Sequence, residues 1–201
     1  DLAMRFVNPD GSRASMCGNA ARCVTRYAFE RGIAGRHMTI ESDAGLLRAE
    51  AGDGVYRVQL TRPGAWQLSQ VLRVGTREIT VHGVDTGVPH IVLQLDRVDE
   101  VDLCGLARPL RFHERFAPAG TNVNLAEVTG ESSLRVRTYE RGVEAETLAC
   151  GTGVTAAALV GLRLGWVHGP VQVACASGDT LSVEADSDLH CVVLGGPAEF
   201  V

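Results

Sequence analysis

Residues 17–32 read CGNAARCVTRYAFERG, and residues 150–165 read CGTGVTAAALVGLRLG. Each begins with a cysteine followed by glycine and a small polar residue, and each ends in glycine. Both are rich in helix-tolerant Ala, Leu and Arg between those ends, and glycine is a usual helix stop. The pattern predicts two helices that each open at a cysteine. A helix start leaves amide N–H groups free and carries partial positive charge, which favours thiolate over thiol.

The likeness extends beyond the helices. Gly165 and Gly178 lie as far beyond Cys150 as Gly32 and Gly45 lie beyond Cys17. Strand-like stretches follow each helix, HMTIESDAG (37–45) and PVQVACASG (170–178), and then LLRAEA (46–51) and TLSVEA (180–185). Two copies of one unit are expected: strand, loop, cysteine-led helix, strand, turn, strand. Further β-like sequence lies between the copies. VYRVQL (55–60), REITVHGVDTG (77–87) and HIVLQL (90–95) read as strands, and Gly120 to Asn124 reads as a polar insertion before another. HCVVLGGPAEF (190–200) reads as a closing strand. The expected fold is α+β, with two pseudo-symmetric lobes. Each lobe is a mainly antiparallel sheet wrapped around one central helix, with the active site in the cleft between them. Pro63-Gly64 marks the boundary: an N-terminal lobe over 1–63, completed by 196–201, and a C-terminal lobe over 64–195.

The bulk composition narrows the function. The 201 residues are 45% hydrophobic and 21% charged with net charge −5, and no basic run stands out, which argues against nucleic acid as a partner. No apolar stretch reaches membrane-spanning length, and DLAMRFVNPDG is not a secretory signal. The six cysteines show neither C-x-x-C nor zinc spacing, so no metal site is expected. Cys23, Cys104, Cys175 and Cys191 are expected as buried small hydrophobes, and the protein as cytoplasmic with reduced thiols.

If the two helix starts face each other, Cys17 and Cys150 share one cleft. The amides of Gly18, Asn19, Gly151 and Thr152 can then hold a carboxylate. One sulfur takes the α-proton and the other returns a proton to the opposite face, which is a two-base racemase or epimerase. This scheme calls for no cofactor. Either cysteine alone reads more readily as structural, and it is the pairing at equivalent positions that reverses this. Taken singly, Asn8 and Asp10-Gly11 read as a turn, Glu140 and Arg141 as a solvated ion pair, His90 as a core histidine, and Asn122 and Asn124 as turn or capping residues.

FVNPDGSRASMCGNAARC, GVPH, GTNVN and YERGVEAETLACGTG occur in this order over nearly the whole chain. Together they resemble diaminopimelate epimerases, of the cofactor-independent amino-acid racemase superfamily. The resemblance implies a homodimer that interconverts LL- and meso-diaminopimelate on the route to lysine and peptidoglycan precursors. It implies that Cys17 and Cys150 are the acid/base pair and that Gly18, Asn19, Gly151 and Thr152 hold the reacting α-carboxylate. Asn8, Asn122 and Arg141 would recognise the distal amino-acid end. Glu140 and His90 would tune the cysteines, with Glu140 also touching substrate.

The sequence departs from the family pattern in two places. A leading strand and glycine-rich loop, about the first quarter of a family member, do not precede Asp1, so the N-terminal lobe is expected to be incomplete. Val88 stands where many members have asparagine, so one distal hydrogen bond must come from elsewhere. The alternatives are another cofactor-independent racemase of the same superfamily, acting on proline, hydroxyproline or histidine, an isomerase of the phenazine-biosynthesis type, or a non-catalytic binding protein on an inactive truncated scaffold. Arg141 and Asn122 argue against a small apolar substrate, and the cysteine pair argues against the other two.

Overall fold

The computed structural model describes residues 1–7, 11, 13–14 and 16–200. The first half comprises β1 (Leu2–Ala3), the small hairpin β2 (Phe6–Val7) and β3 (Arg13–Ala14), α1 (Gly18–Glu30), β4 (His37–Ser42), β5 (Gly45–Gly52) and β6 (Val55–Gln59). Next come β7 (Trp66–Val74), β8 (Arg77–Asp85), β9 (Pro89–Gln94), α2 (Leu103–Arg111), β10 (Asn122–Gly130), β11 (Ser133–Glu140) and β12 (Ala145–Thr147). The chain closes with α3 (Gly151–Leu164), β13 (Val171–Ala174), β14 (Thr180–Ala185) and β15 (Val192–Gly196).

Apart from the β2–β3 hairpin, the strands form one 13-stranded sheet, whose order shows the repeat. It begins β1-β4-β5-β6 and continues β15-β14-β13-β11. Read outward from the β6–β15 pair, both halves run alike. β5 and β14 flank the pair antiparallel, β4 and β13 follow antiparallel, and β1 and β11 join parallel. The fold is α+β with two pseudo-symmetric lobes. The matched spacings have a backbone reason. Gly32 and Gly165 both sit at helix ends with positive φ (66° and 71°), and Gly45 and Gly178 both make turns at positive φ (109° and 89°). L-residues are strained there, so these positions hold the two copies in step.

Helix α1 buries Gly18, Ala21, Arg22, Thr25 and Ala28, one stripe at helical spacing, against β5, β6 and β15. Helix α3 is buried from Gly151 through Gly161 and sits inside its own lobe against β8 to β11, β13 and β14. Val154, Ala156 to Val160, Ile40, Leu47, Val58, Val183 and Leu194 belong to one core that runs through both lobes. Leu159 is fully buried in it, and truncation to Ala would cost on the order of 2–5 kcal/mol.

The structure corrects three expectations. A third helix, α2, is present although Gly105 and Pro109 argue against it locally. Asp102 caps it through Gly105 N at 3.0 Å, and Leu103, Ala107 and Leu110 fix it to a second core with Ile91, Val123 and Leu125. Burial here overrides propensity. Asn122 and Asn124 belong to β10 rather than to a loop before it, and both are buried. Along this strand Val123 and Leu125 face the α2 core, so the alternate positions Asn122 and Asn124 face α3. Finally, Cys23, Cys104 and Cys191 are exposed, and of the four cysteines expected in the core only Cys175 is buried. Cys23 and Cys104 lie outside their helices' buried faces, so their apolar character does not decide their placement. All six thiols are free.

Candidate active site

The helices α1 and α3 start against each other. A Cβ placed on Gly151 would lie 3.5 Å from Gly18 Cα and 3.2 Å from Asn19 Oδ1, and one on Gly18 or Gly151 would lie 3.0 Å from Leu194 Cδ2. Glycine after each cysteine therefore lets two backbones meet over Leu194, at the pseudo-symmetry centre. Cys17 and Cys150 are the N-cap residues of these helices. Both line one cavity of about 320 Å³, with Gly18, Asn19, Asn122, Glu140, Arg141, Gly151 and Thr152 around them. Phe6, Met16, Val88, Val143 and Ala149 supply its apolar wall. Of the residues singled out in the sequence, nine thus meet in one cleft. His90 does not line it, and Asn8 lies outside the described residues.

The two sulfurs have different surroundings. Cys17 is partly exposed, and its Sγ accepts from Ala20 N at 3.5 Å. Arg22, one turn into α1, donates to Gly18 O at 3.5 Å, Asn19 Oδ1 at 3.2 Å and Pro197 O at 3.4 Å. Asn19 Nδ2 in turn donates to Ala149 O at 3.0 Å, which ties α1 to the residue before Cys150. Arg22 is 6% exposed and none of the ion pairs among the described residues includes it. Burial lowers its pKa, and the neighbouring Cys23, Cys175, Cys17 and Asp179 act the other way.

Cys150 is 8% exposed. Burial pushes its thiol up to about 11, helped by the Glu140 carboxylate and Cys17, while the Thr152 hydroxyl at 3.5 Å works against the shift. The expectation that both helix starts favour thiolate fails at this cysteine, because loss of water outweighs the helix charge. Behind Thr152 lies His90, with Nε2 3.0 Å from Thr152 Oγ1 and Nδ1 3.2 Å from Asn124 Nδ2. It is 1% exposed, and burial, with the Arg141 charge second, drives its pKa down to about 3. The ring is neutral and reaches Cys150 only through Thr152.

The distal end of the cleft is carried by the turn after β11. Asn122 Oδ1 accepts from Arg141 N at 2.8 Å, and its Nδ2 donates to Pro89 O at 3.2 Å. Among the described residues the Arg141 side chain makes one long contact, 3.4 Å, to Ala119 O. Arg111 of α2 pairs with Glu144 at 2.8 Å, and Glu144 also accepts from Gly142 N at 3.0 Å. The helix that propensity hides thus pins the turn that presents Glu140 and Arg141.

The model of the diaminopimelate epimerase family matches residues 1–62 and 83–201. The chain belongs to this family. It is 45% identical over 199 residues to the diaminopimelate epimerase of Aquifex aeolicus, covering 98% of this chain and 71% of that one. It is 40% identical over 212 residues to that of Archaeoglobus fulgidus, covering 100% and 74%. A probable proline racemase from Agrobacterium radiobacter shares the fold, with TM-score 0.74, 17% identity and coverage of 97% and 68%. So does a phenazine-biosynthesis protein from Bacillus anthracis, with TM-score 0.73, 14% identity and coverage of 97% and 77%.

Four residues of this family member escaped the sequence reading as parts of the site: Arg22, Thr86, Asn124 and Thr138. Thr86 Oγ1 donates to Thr152 O at 3.0 Å and Thr138 Oγ1 to Asn124 Oδ1 at 3.0 Å. Asn124 sits in GTNVN and reads there as a turn or capping residue, and of the other three Arg22 alone carried a signal. It is a charged residue on the buried stripe of a short helix, four positions after the glycine it holds.

Proposed function

We propose that this chain interconverts LL- and meso-diaminopimelate by two-base proton transfer between Cys17 and Cys150. The observation that carries the reading is that both helices begin at a cysteine, touch through glycine, and open into one cleft. The substrate's α-carboxylate lies on the helix starts at Gly18-Asn19 and Gly151-Thr152. Cys17, the more exposed sulfur with a buried cation nearby, acts as the base in this direction, and Cys150 holds a proton at rest. Cys17 removes the α-proton from one face. The electron pair moves into the carboxylate as an enediolate, and Cys150 S–H delivers its proton to the opposite face. The products are the inverted centre, a Cys17 thiol and a Cys150 thiolate, the state that runs the reverse reaction. Donors aimed at such a charge are worth roughly 2.7–4 kcal/mol each, which suits a carbon acid this weak.

Arg141 and Asn8 hold the distal carboxylate and ammonium, with Asn122 setting the Arg141 backbone. Glu140 bears on both the substrate and Cys150, and His90 tunes Cys150. We take 1–63 with 196–201 and 64–195 as the two lobes. The working form is a homodimer in the cytoplasm. Among the described residues no helix is long and apolar enough to cross a membrane.

The test is turnover in heavy water on the purified chain. LL-diaminopimelate is expected to give meso product with deuterium at the inverted carbon only. Turnover of proline in place of diaminopimelate, or label at both α-carbons of the product formed at initial rate, overturns the reading.

A further inference from the structure

We propose that Asn124 and Thr138 are positioning residues that fix the tautomer of His90, so that the Thr152 hydroxyl proton is aimed at Cys150 Sγ. The inference deepens the reading of Cys150 as an acid/base group and rests on it.

The direction of the chain of hydrogen bonds follows from its far end. Asn124 lies 2.9 Å from Ile91 O and 3.0 Å from Thr138 Oγ1. A backbone carbonyl only accepts, so the amide nitrogen must face Ile91 and the amide oxygen must face Thr138. The same nitrogen is 3.2 Å from His90 Nδ1. Nδ1 therefore faces a donor and is bare. A fully buried neutral imidazole with bare Nδ1 carries its one proton on Nε2. Nε2–H then donates to Thr152 Oγ1 at 3.0 Å, and Thr152 has its own proton left for Cys150 Sγ at 3.5 Å. Four side chains, Thr138 of β11, Asn124 of β10, His90 of β9 and Thr152 of α3, thus point their donors one way, ending on the Cys150 sulfur.

Packing holds the far end in place. A Cβ on Gly153 would come within 2.4 Å of Asn124 Oδ1 and 3.2 Å of Thr138 Oγ1, so the start of α3 is seated directly on this pair. The chain adds no charge. The titratable groups facing it are Arg141 toward His90, and Glu140 and Cys17 toward Cys150. Glu140 and burial oppose a thiolate at Cys150, and a fixed donor is the counterweight that lets Cys150 give up its proton during turnover.

The test reads the thiol and the ring, not turnover, so it fails or succeeds apart from the reading of the reaction. In a Cys17→Ser background, Cys150 alkylation is followed against pH, and the His90 ring nitrogens are observed by ¹⁵N NMR. The ring proton is expected on Nε2. Asn124→Asp puts an acceptor at Nδ1 and should move it to Nδ1, turning the Thr152 proton toward the ring. Cys150 alkylation at fixed pH should then fall about ten-fold, as for one lost hydrogen bond to a charged atom. Thr152→Val should show the same fall and Thr152→Ser should restore the rate. If Asn124→Asp does not fold, Thr138→Val, which frees the amide to turn over, should give the fall in part. A ring proton on Nδ1 in the parent overturns the proposal, and so does a Cys150 profile unmoved by Thr152→Val or by Thr138→Val.

Discussion

The starts of α1 and α3 are copies of one structure that have come to do different work. Each begins with a cysteine cap and a glycine that touches the other, yet the next polar residue points elsewhere. Asn19 reaches across to Ala149 and is held by Arg22, whereas Thr152 turns back to Cys150 and is held by His90. The residues that secure the glycine carbonyls also differ: Arg22 at Gly18 and Thr155 at Gly151, the latter at 2.8 Å. The Cys17 side has a buried cation and is partly exposed. The Cys150 side has a neutral, dry, hydrogen-bonded wall. A reaction that needs one thiolate and one thiol at the same moment is served by this inequality. Perfect symmetry would leave two equal sulfurs competing for one proton.

The strongest way to break the comparison is to remove each sulfur. Cys17→Ala and Cys150→Ala should each lower inversion by at least about 10²–10⁴-fold, the usual worth of a positioned acid or base. Each variant retains one thiol and should still exchange the α-hydrogen of one stereocentre with solvent. The two variants should exchange opposite configurations. Exchange of the same configuration by both would mean that the sulfurs do not address opposite faces.

The dry wall on the Cys150 side can be tested through folding. His90 is neutral when folded, with a pKa near 3, and takes a proton near 6.5 when unfolded. Between these values the unfolded chain binds more protons, so stability is full above about 6.5 and is lost as pH falls. The slope is about 1.4 kcal/mol per pH unit, on the order of 4–5 kcal/mol over the window. Urea unfolding from pH 6.5 to 5.5, above most of the carboxylate titration, should approach that slope, and His90→Gln should flatten it. His82, which burial also lowers, contributes to what remains, and the lowered Glu144 and Asp186 carboxyls add to it at the acid end. An unchanged slope in His90→Gln would mean that the ring is hydrated and the wall is not dry.

What the sequence displayed and what it concealed divide along the same line. The repeat was legible because helix caps and positive-φ turns constrain residue type locally, so Cys17, Gly32 and Gly45 announce their partners by spacing. The cleft-lining residues were legible because motif and repeat coincide on them. The support behind Cys150 was not. Asn124 and Thr138 look like ordinary turn or strand residues until β10 and β11 pair and put Asn124 opposite Thr138. Helix α2 was hidden because Gly105 and Pro109 conceal a helix held by tertiary burial, and the role of Arg111 was hidden with it.

The inequality of the sulfurs can also be read from their reactivity. With Cys150 near 11, its thiolate fraction at pH 8 is about a hundred-fold or more below that of an ordinary thiol. A small alkylating agent near neutral pH should therefore modify Cys17 well before Cys150, as peptide mapping would show. Equal rates would remove the assignment of resting states.

The smallest effect separates the two things Arg22 brings, a fork and a charge. Its three acceptors, Gly18 O, Asn19 Oδ1 and Pro197 O, surround the guanidinium, and a lysine can satisfy them only in part. Arg22→Lys keeps the charge and loosens the tie from Asn19 to Ala149. It should cost roughly 1–2 kcal/mol of stability while leaving Cys17 alkylation within a few-fold. Arg22→Met removes both, and Cys17 alkylation should slow as well, because the buried positive charge near its sulfur is gone. Thr155→Val, at the matching place in α3, removes one neutral hydrogen bond worth about 1 kcal/mol and should leave both sulfurs' reactivity alone. If Arg22→Met behaves like Thr155→Val, the buried cation is only a brace. The difference between the two helix starts would then lie wholly on the Cys150 side.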